Sequence, residues 1–238
     1  MRPDGRANDQ LRPVEFIPHY LDHNPASVLV RMGKTWVLCA ASVADEIPLW
    51  LKDQAQGWVT AEYGLLPAST HTRTPREAST GSVRGRTQEI QRMIGRSLRA
   101  ALDLRKLGQR TITIDCDVIQ ADGGTRTAAV TGGYVALALA VNQLVQSGAV
   151  HRSVWRAPVA AVSIGVVQGE PVLDLCYEED SQAEVDFNVV MTARGQFVEI
   201  QGTAEGQPFD RAVMDILLNL AEKGIKELLM AQKQALAS

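Results

Sequence analysis

The segment Gln120-Ala121-Asp122-Gly123-Gly124-Thr125-Arg126 joins an alternating strand pattern to an apolar helix pattern. At such a junction the first helical N–H groups are unpaired and partly positive, and glycine lets the backbone approach an anion closely. Thr125 adds a hydroxyl and Arg126 a full charge at the same place, so the segment reads as an anion cradle; an ordinary strand-to-helix turn is the alternative. Neither GxxxxGK[ST] nor GxGxxG occurs, which excludes the Walker and dinucleotide-binding patterns. A second group is Arg84-Gly85-Arg86-Thr87, directly before a helix pattern that carries Arg92, Arg96 and Arg99 at i, i+4 and i+7, on one face. Arginine grips phosphate through a planar fork that lysine lacks, so this block suits phosphate or nucleic acid, with a merely solvated helix face as the alternative. A third group is the acidic run through residues 174–186, where Asp180 and Asp186 lie six apart across a turn. Carboxylates converging beside a phosphate site can hold Mg²⁺ through oxygen or carry a proton, whereas a solvated acidic turn needs neither role. Cradle, arginine block and carboxylate pair together suit chemistry on a phosphodiester.

Composition bounds what surrounds these groups. The 238 residues are 45% apolar, 21% charged and 5% aromatic. At roughly 150 residues per domain that length fits one large α/β domain or two small lobes. The apolar share argues against a disordered chain, and no run of about 18 apolar residues stands out as a membrane span, so no membrane partner is expected. The polar opening Met1-Arg2-Pro3-Asp4-Gly5-Arg6 predicts no signal peptide. Cys39, Cys116 and Cys176 are far apart, inside strand-like runs, and the four histidines are scattered. They offer no metal spacing, disulfide framework or Cys/His nucleophile, and a reducing, cytoplasmic location is expected. The net charge of −3 hides a segregation: residues 73–110 hold nine Arg and one Lys against three acids, and residues 170–186 hold seven acids and no base.

The elements that must position these residues can be read from periodicity. Strands are expected over 14–21, 27–32, 35–44 and 58–63, with a hairpin turn at Gly33-Lys34, and a Pro/Thr/Ser/Arg loop follows over 67–84. Helical spacing runs over 87–104, with Ile90, Met93, Ile94 and Leu98 on one face. Residues 111–118 alternate strictly, a half-buried strand. Residues 127–145 are apolar all round, which predicts a helix buried between two layers that makes the chain one body. Four more strands are expected near 159–167, 172–177, 184–192 and 196–203. A last helix is capped by Asp210, with Phe209 stapled onto Met214. Hairpin-then-helix in the first half is thus echoed in the second, an α/β (α+β) fold of duplicated plan over 1–238.

Longer motifs carry a resemblance. Arg2-Pro3-Asp4-Gly5-Arg6, Gly64-Leu65-Leu66-Pro67, Gly85-Arg86-Thr87-Gln88-Glu89-Ile90-Gln91-Arg92, Gln120 to Thr127, Glu179-Asp180-Ser181, Asn188-Val189-Val190-Met191-Thr192 and Glu199-Ile200-Gln201-Gly202-Thr203-Ala204-Glu205 follow in one order. Nearly end to end the sequence resembles the phosphorolytic exoribonuclease family of ribonuclease PH. The resemblance implies a duplicated β-α-β-α sandwich with helices packed on mixed sheets, assembled as a homohexameric ring of three dimers. It implies trimming of tRNA precursors and other RNA 3′ ends with inorganic phosphate in place of water, releasing nucleoside diphosphates, and the reverse addition of nucleotides. By matching position, Arg86, Gly124, Thr125 and Arg126 hold the phosphate, while Asp180 and Asp186 are catalytic and bind a divalent metal, Mg²⁺ by expectation. Arg73 and Arg76 in the loop, with Arg92, Arg96 and Arg99, form the positive surface expected to hold RNA. Ala68 and Leu65 stand where many relatives carry Arg and Met, and Cys176 and Phe187 where Asp and Met are frequent. Two other classes compete: an inert ring subunit, which would lack the phosphate arginines or the aspartates, and a hydrolytic metal-dependent nuclease, which would have more clustered acids and no phosphate cradle.

Overall fold

The structure, a computed structural model, describes residues 2–237 apart from the side chains of residues 78 and 80. Strands β1 (Val14–Pro18), β2 (Ser27–Met32), β3 (Thr35–Ala44), β4 (Trp58–Leu65) and β5 (Thr111–Gln120) form a five-stranded sheet in the order β1-β2-β3-β5-β4. Strands β6 (Val159–Val167), β7 (Glu170–Leu173), β8 (Val185–Thr192) and β9 (Phe197–Ala204) form a second sheet, ordered β7-β6-β8-β9. Between or beyond them lie helices α1 (Glu77–Thr80), α2 (Gly85–Ala100), α3 (Leu104–Leu107), α4 (Thr125–Gln146), α5 (Tyr177–Asp180) and α6 (Arg211–Ala235).

Chain connectivity explains the pairing. Gly33 takes φ +57° in the two-residue turn that sets Met32 opposite Thr35, so β2 and β3 form the expected hairpin. The passage from β4 to β5 is long enough to contain α2, and β4 accordingly lies parallel to β5 while the other pairs of that sheet are antiparallel. The second sheet is antiparallel throughout, so only the first is mixed.

Helix α4 packs against β2, β3 and β5 on the first sheet and against β6 on the second. By length and composition it could cross a bilayer, with a mean hydropathy of 1.5 over its best stretch, an apolar run the composition reading passed over. Thr127 to Val141 are instead buried without interruption in the protein core, and the polar Asn142 and Gln143 are exposed. Small residues let it lie close: a Cβ at Gly132 would meet Val30 Cγ1 at 2.6 Å. A polar lock ties the layers, because Thr131 Oγ1 accepts from Ala161 N (3.0 Å) and Gln232 Nε2 of α6 donates to the carbonyls of Thr131 (2.9 Å) and Val159 (3.0 Å). Residues of both sheets thereby share one buried apolar cluster.

Several elements differ from the periodicity reading for local reasons. β1 stops at Pro18 because His19 takes φ +54°. β7 occupies Glu170–Leu173, not 172–177: Asp174 takes φ +55° and breaks the strand, and the following residues wind into α5. The long loop contains the turn α1, and α2 runs Gly85–Ala100 where 87–104 was expected. Cys39 and Cys116, distant in sequence, are register partners across β3 and β5, both as free thiols. Asp210 caps α6 by accepting from Val213 N (2.9 Å), and the Phe209 ring meets Phe187 edge-on at 5.2 Å.

Candidate active site

The turn from β5 into α4 is built around two left-handed glycines, Gly123 (φ +74°) and Gly124 (φ +61°). A Cβ at Gly123 would stand 2.5 Å from Leu175 O, 2.7 Å from Cys176 C and 2.9 Å from Tyr177 N, so only glycine lets this turn lie on the backbone leading into α5. Asp122 Oδ1 accepts from Tyr177 N (3.3 Å) across the same contact. Gly124 is the N-cap residue of α4, and no side chain caps that end. Thr125 does not act as a cap. Its Oγ1 accepts from the buried phenol of Tyr63 on β4 (2.9 Å), which leaves the Thr125 proton to be donated elsewhere. Arg126 Nη1 donates to Gln201 Oε1 on β9 (3.1 Å) and stands 3.9 Å from Glu89 of α2.

Behind the turn stands a pair that the sequence reading did not single out. Arg12, almost fully buried, forks onto Asp174 through Nε (3.0 Å) and Nη2 (2.7 Å), and its backbone N–H donates to the same carboxylate (2.8 Å). The guanidinium also donates to the carbonyl of Asp122, and Thr35 Oγ1 donates to that of Gly123 (2.6 Å). The cradle therefore rests on a buried ion pair contributed by the N-terminal segment and the end of β7. The one signal in the sequence was Asp174 itself, a charge between two leucines.

The N-terminal segment fixes α5 as well. Arg2 Nε and Nη2 donate to the two oxygens of Glu179 (2.7 and 2.8 Å), Nη2 also to Asp174 O (3.1 Å), and Arg6 Nη2 reaches Asp174 O (3.2 Å). Glu179 in turn accepts from Cys176 N (3.0 Å) at the start of the helical turn. With its neighbour Glu179 held this way, Asp180 at the end of α5 lies within electrostatic reach of Arg126, Arg86 and Arg12.

Asp180 lies close enough for its charge to act on Asp186. Asp186 lies on β8 opposite Gly165 and Thr203, and its Oδ1 is buried without a hydrogen-bond partner in the protein. Burial first, then the charge of Asp180, with a smaller push from Glu205, lifts its carboxyl to about 6, while Arg126 and Arg86 oppose the rise. Burial also raises Asp180, against the pull of Arg126, Arg86 and Arg12. Arg126 and Arg86 act on both carboxyls and Asp180 acts on Asp186, which puts the four groups in one electrostatic neighbourhood. An orphaned buried oxygen beside a second carboxylate fits a divalent cation. No group of three His, Cys, Asp or Glu exists among the described residues, so such a cation would take its remaining oxygens from water or phosphate, as Mg²⁺ commonly does.

The other arginines divide. Arg86 is exposed in the first turn of α2, whose start is tied to α1 by Thr87 Oγ1 donating to Glu77 Oε1 (2.7 Å). Arg73, Arg76 and Arg92 are exposed, and Arg96 is exposed but donates to Glu199 Oε2 (2.8 Å). Arg99 leaves the shared face: its guanidinium lies 4.2 Å over the Trp58 ring and donates to Val59 O (2.9 Å). So Arg86, Gly124, Thr125, Arg126, Asp180 and Asp186 come together, and Arg99 is taken up in packing.

The profile of the 3′ exoribonuclease family, domain 1, matches residues 10–142, and that of domain 2 of the same family matches residues 157–224. Among solved structures, rice (Oryza sativa) Rrp46 superposes with a TM-score of 0.79 at 17% identity, covering 99% of this chain and 100% of that one. The Archaeoglobus fulgidus exosome with RNA bound to the active site gives 0.78 at 23% identity, covering 96% and 91%. An archaeal exosome core gives 0.75 at 21% identity, covering 98% and 91%. At these identities the likeness is one of fold.

Proposed function

The chain belongs to the 3′ exoribonuclease family, of the ribonuclease PH type, and from that premise we propose that it shortens RNA from the 3′ end by phosphorolysis, with tRNA precursors among its substrates. An oxygen of inorganic phosphate attacks the last internucleotide phosphorus in line. A new P–O bond forms, the bond to the 3′ oxygen of the preceding nucleotide breaks, and the terminal residue leaves as a nucleoside 5′-diphosphate. Attack brings two anions together, so the site must offset their repulsion before any bond changes. Arg86, Arg126 and the uncapped start of α4 at Gly124 supply that positive field, and Thr125 donates the proton that Tyr63 leaves free. Asp180 and Asp186 would hold a divalent cation, which supplies charge neutralisation at the scissile phosphate. The departing 3′ oxygen takes a proton, and burial raises both carboxyls, so whichever of Asp180 and Asp186 is not engaged by the cation is suited to supplying it. Run backwards, the same site adds nucleotides to a 3′ end.

The observation that carries this reading is the meeting of Arg86 and Arg126 with Asp180 and the orphaned oxygen of Asp186. An inert ring subunit has no use for all four. A homohexameric ring belongs to the same proposal; the likeness to exosome chains supports assembly into a larger particle, and identical protomers are the expectation that the family resemblance adds. The test is the phosphate dependence of RNA shortening. Shortening is expected only when phosphate is supplied, and Arg126→Ala should cut the rate at low phosphate on the order of a hundredfold. Equal shortening without phosphate would mean hydrolysis.

A further inference from the structure

Away from the cradle, α2 ends at a second positive surface. Arg86 opens this helix and Arg99 closes it, roughly 20 Å away at about 1.5 Å per residue. A concavity of 660 Å³ lies at that end, lined among others by Trp58, Arg96, Arg99, Arg105 and Arg156, with Asp103 the one acid. Asp103 is already engaged, accepting from Arg105 N (3.2 Å) and standing 3.8 Å from Arg156. Lys106 and Arg194 extend the basic rim, tied down by bonds to the carbonyls of Ser153 (3.3 Å) and Arg156 (3.0 Å). Trp50, 60% exposed, meets Trp58 edge-on at 4.8 Å and leaves its indole largely open to solvent. Arg105 and Arg156 are exposed, in a protein whose net charge is −3.

Gathering like charges costs stability unless an anion offsets them, and among the described residues the salt bridges bring only Asp103 and Glu199 to these arginines. Forked cations beside an exposed indole match phosphates alternating with bases. We propose that this Arg- and Trp-lined concavity at the C-terminal end of α2 binds the backbone of single-stranded RNA upstream of the 3′ end held in the active site. The proposal rests on the exoribonuclease reading and adds a second contact surface to it. At about 3.4 Å per stacked nucleotide the two surfaces are about six nucleotides apart, so only longer RNA can reach both.

The experiment compares wild type, the double variant Arg105→Ala with Arg156→Ala, and Trp50→Ala. Binding is measured by fluorescence anisotropy over a salt series, on RNA of about 20 nucleotides and of about four, with phosphorolysis rates and light scattering alongside. The double variant should bind the longer RNA on the order of tenfold more weakly at low salt and lose about 1.4 from the slope of log K against log salt. Trp50→Ala should lose on the order of tenfold with the slope kept. Rates on the short RNA should not change. Unchanged affinity and slope on the longer RNA would overturn the proposal and leave the exoribonuclease reading intact. Loss of affinity that tracks a fall in assembly mass would overturn it in favour of a subunit interface. Failure of the wild type to bind or shorten either RNA would overturn both.

Discussion

Asp186 carries its carboxylate where the fold disfavours the charged form, half-buried on β8, near Asp180 and with one buried oxygen unpartnered. Its carboxyl rises from 3.8 to about 6, so the native state keeps a proton that the unfolded chain releases earlier. The penalty from this one group is therefore absent below about pH 4, grows as pH rises from 4 to 6, and stays constant above that. Asp186→Asn removes the penalty. In the presence of a chelator it should melt a few degrees higher than wild type at pH 7.5, on the order of 1–3 kcal/mol, with no difference near pH 4. The same variant should lose turnover by a hundredfold or more, since an amide neither binds a cation well nor holds an exchangeable acid proton. Equal melting at both pH values would show that Asp186 is not strained by its charge. At Tyr63 the expectation is different in kind. Tyr63→Phe removes the donor to Thr125 Oγ1 and frees the Thr125 proton to turn inward, so KM for phosphate should rise about fivefold while RNA affinity stays constant. A matched loss in RNA affinity would mean that the phenol supports the fold and not the cradle.

Between elements, the buried Arg12–Asp174 pair joins the N-terminal segment, the end of β7 and the β5–α4 turn. Breaking one partner leaves a buried charge alone, so Asp174→Asn should cost about 3–5 kcal/mol in urea unfolding. The double variant Arg12→Met with Asp174→Leu should regain most of that stability but not the phosphate affinity, because the carbonyls of Asp122 and Gly123 lose their guanidinium. Recovery of both would reduce the pair to packing. This pair also shows where sequence reading runs out. Local periodicity exposed β2, β3, β5, α4 and the cradle glycines, since strand and helix repeats are written within about ten residues. It set Asp180 and Asp186 six apart across a turn between strands; the structure instead ends α5 at Asp180 and carries Asp186 on β8. Arg12 with Asp174, Arg2 with Glu179 and Tyr63 with Thr125 are partners far apart along the chain, and nothing in their own neighbourhoods announces them. Arg99 failed for the converse reason: helical spacing put it on the arginine face, but the neighbouring strand offered Trp58 and a free carbonyl.

Across the whole molecule, α4 serves as both core and platform. Its apolar body is packed between the sheets and its N-terminus emerges at the cradle glycines, so the proposed anion site is anchored to the buried core. The −3 net charge makes RNA binding a matter of local surfaces. Ring assembly would place several Arg73 and Arg76 loops about one entrance, raising phosphate contacts without changing any single site. Light scattering should accordingly give a mass of six protomers, and an interface variant reduced to dimers should lose structured tRNA precursors more than short unstructured RNA. Equal trimming of both by the dimer would separate assembly from substrate grip. The most direct measurement of the central claim follows the phosphorus atom. Radiolabelled inorganic phosphate is incubated with the protein, Mg²⁺ and unlabelled RNA, and the released nucleotides are separated. Phosphorolysis at Arg86, Arg126, Asp180 and Asp186 predicts label in nucleoside 5′-diphosphates, absent with Asp186→Asn; unlabelled nucleoside monophosphates, or no nucleotide released, would contradict it.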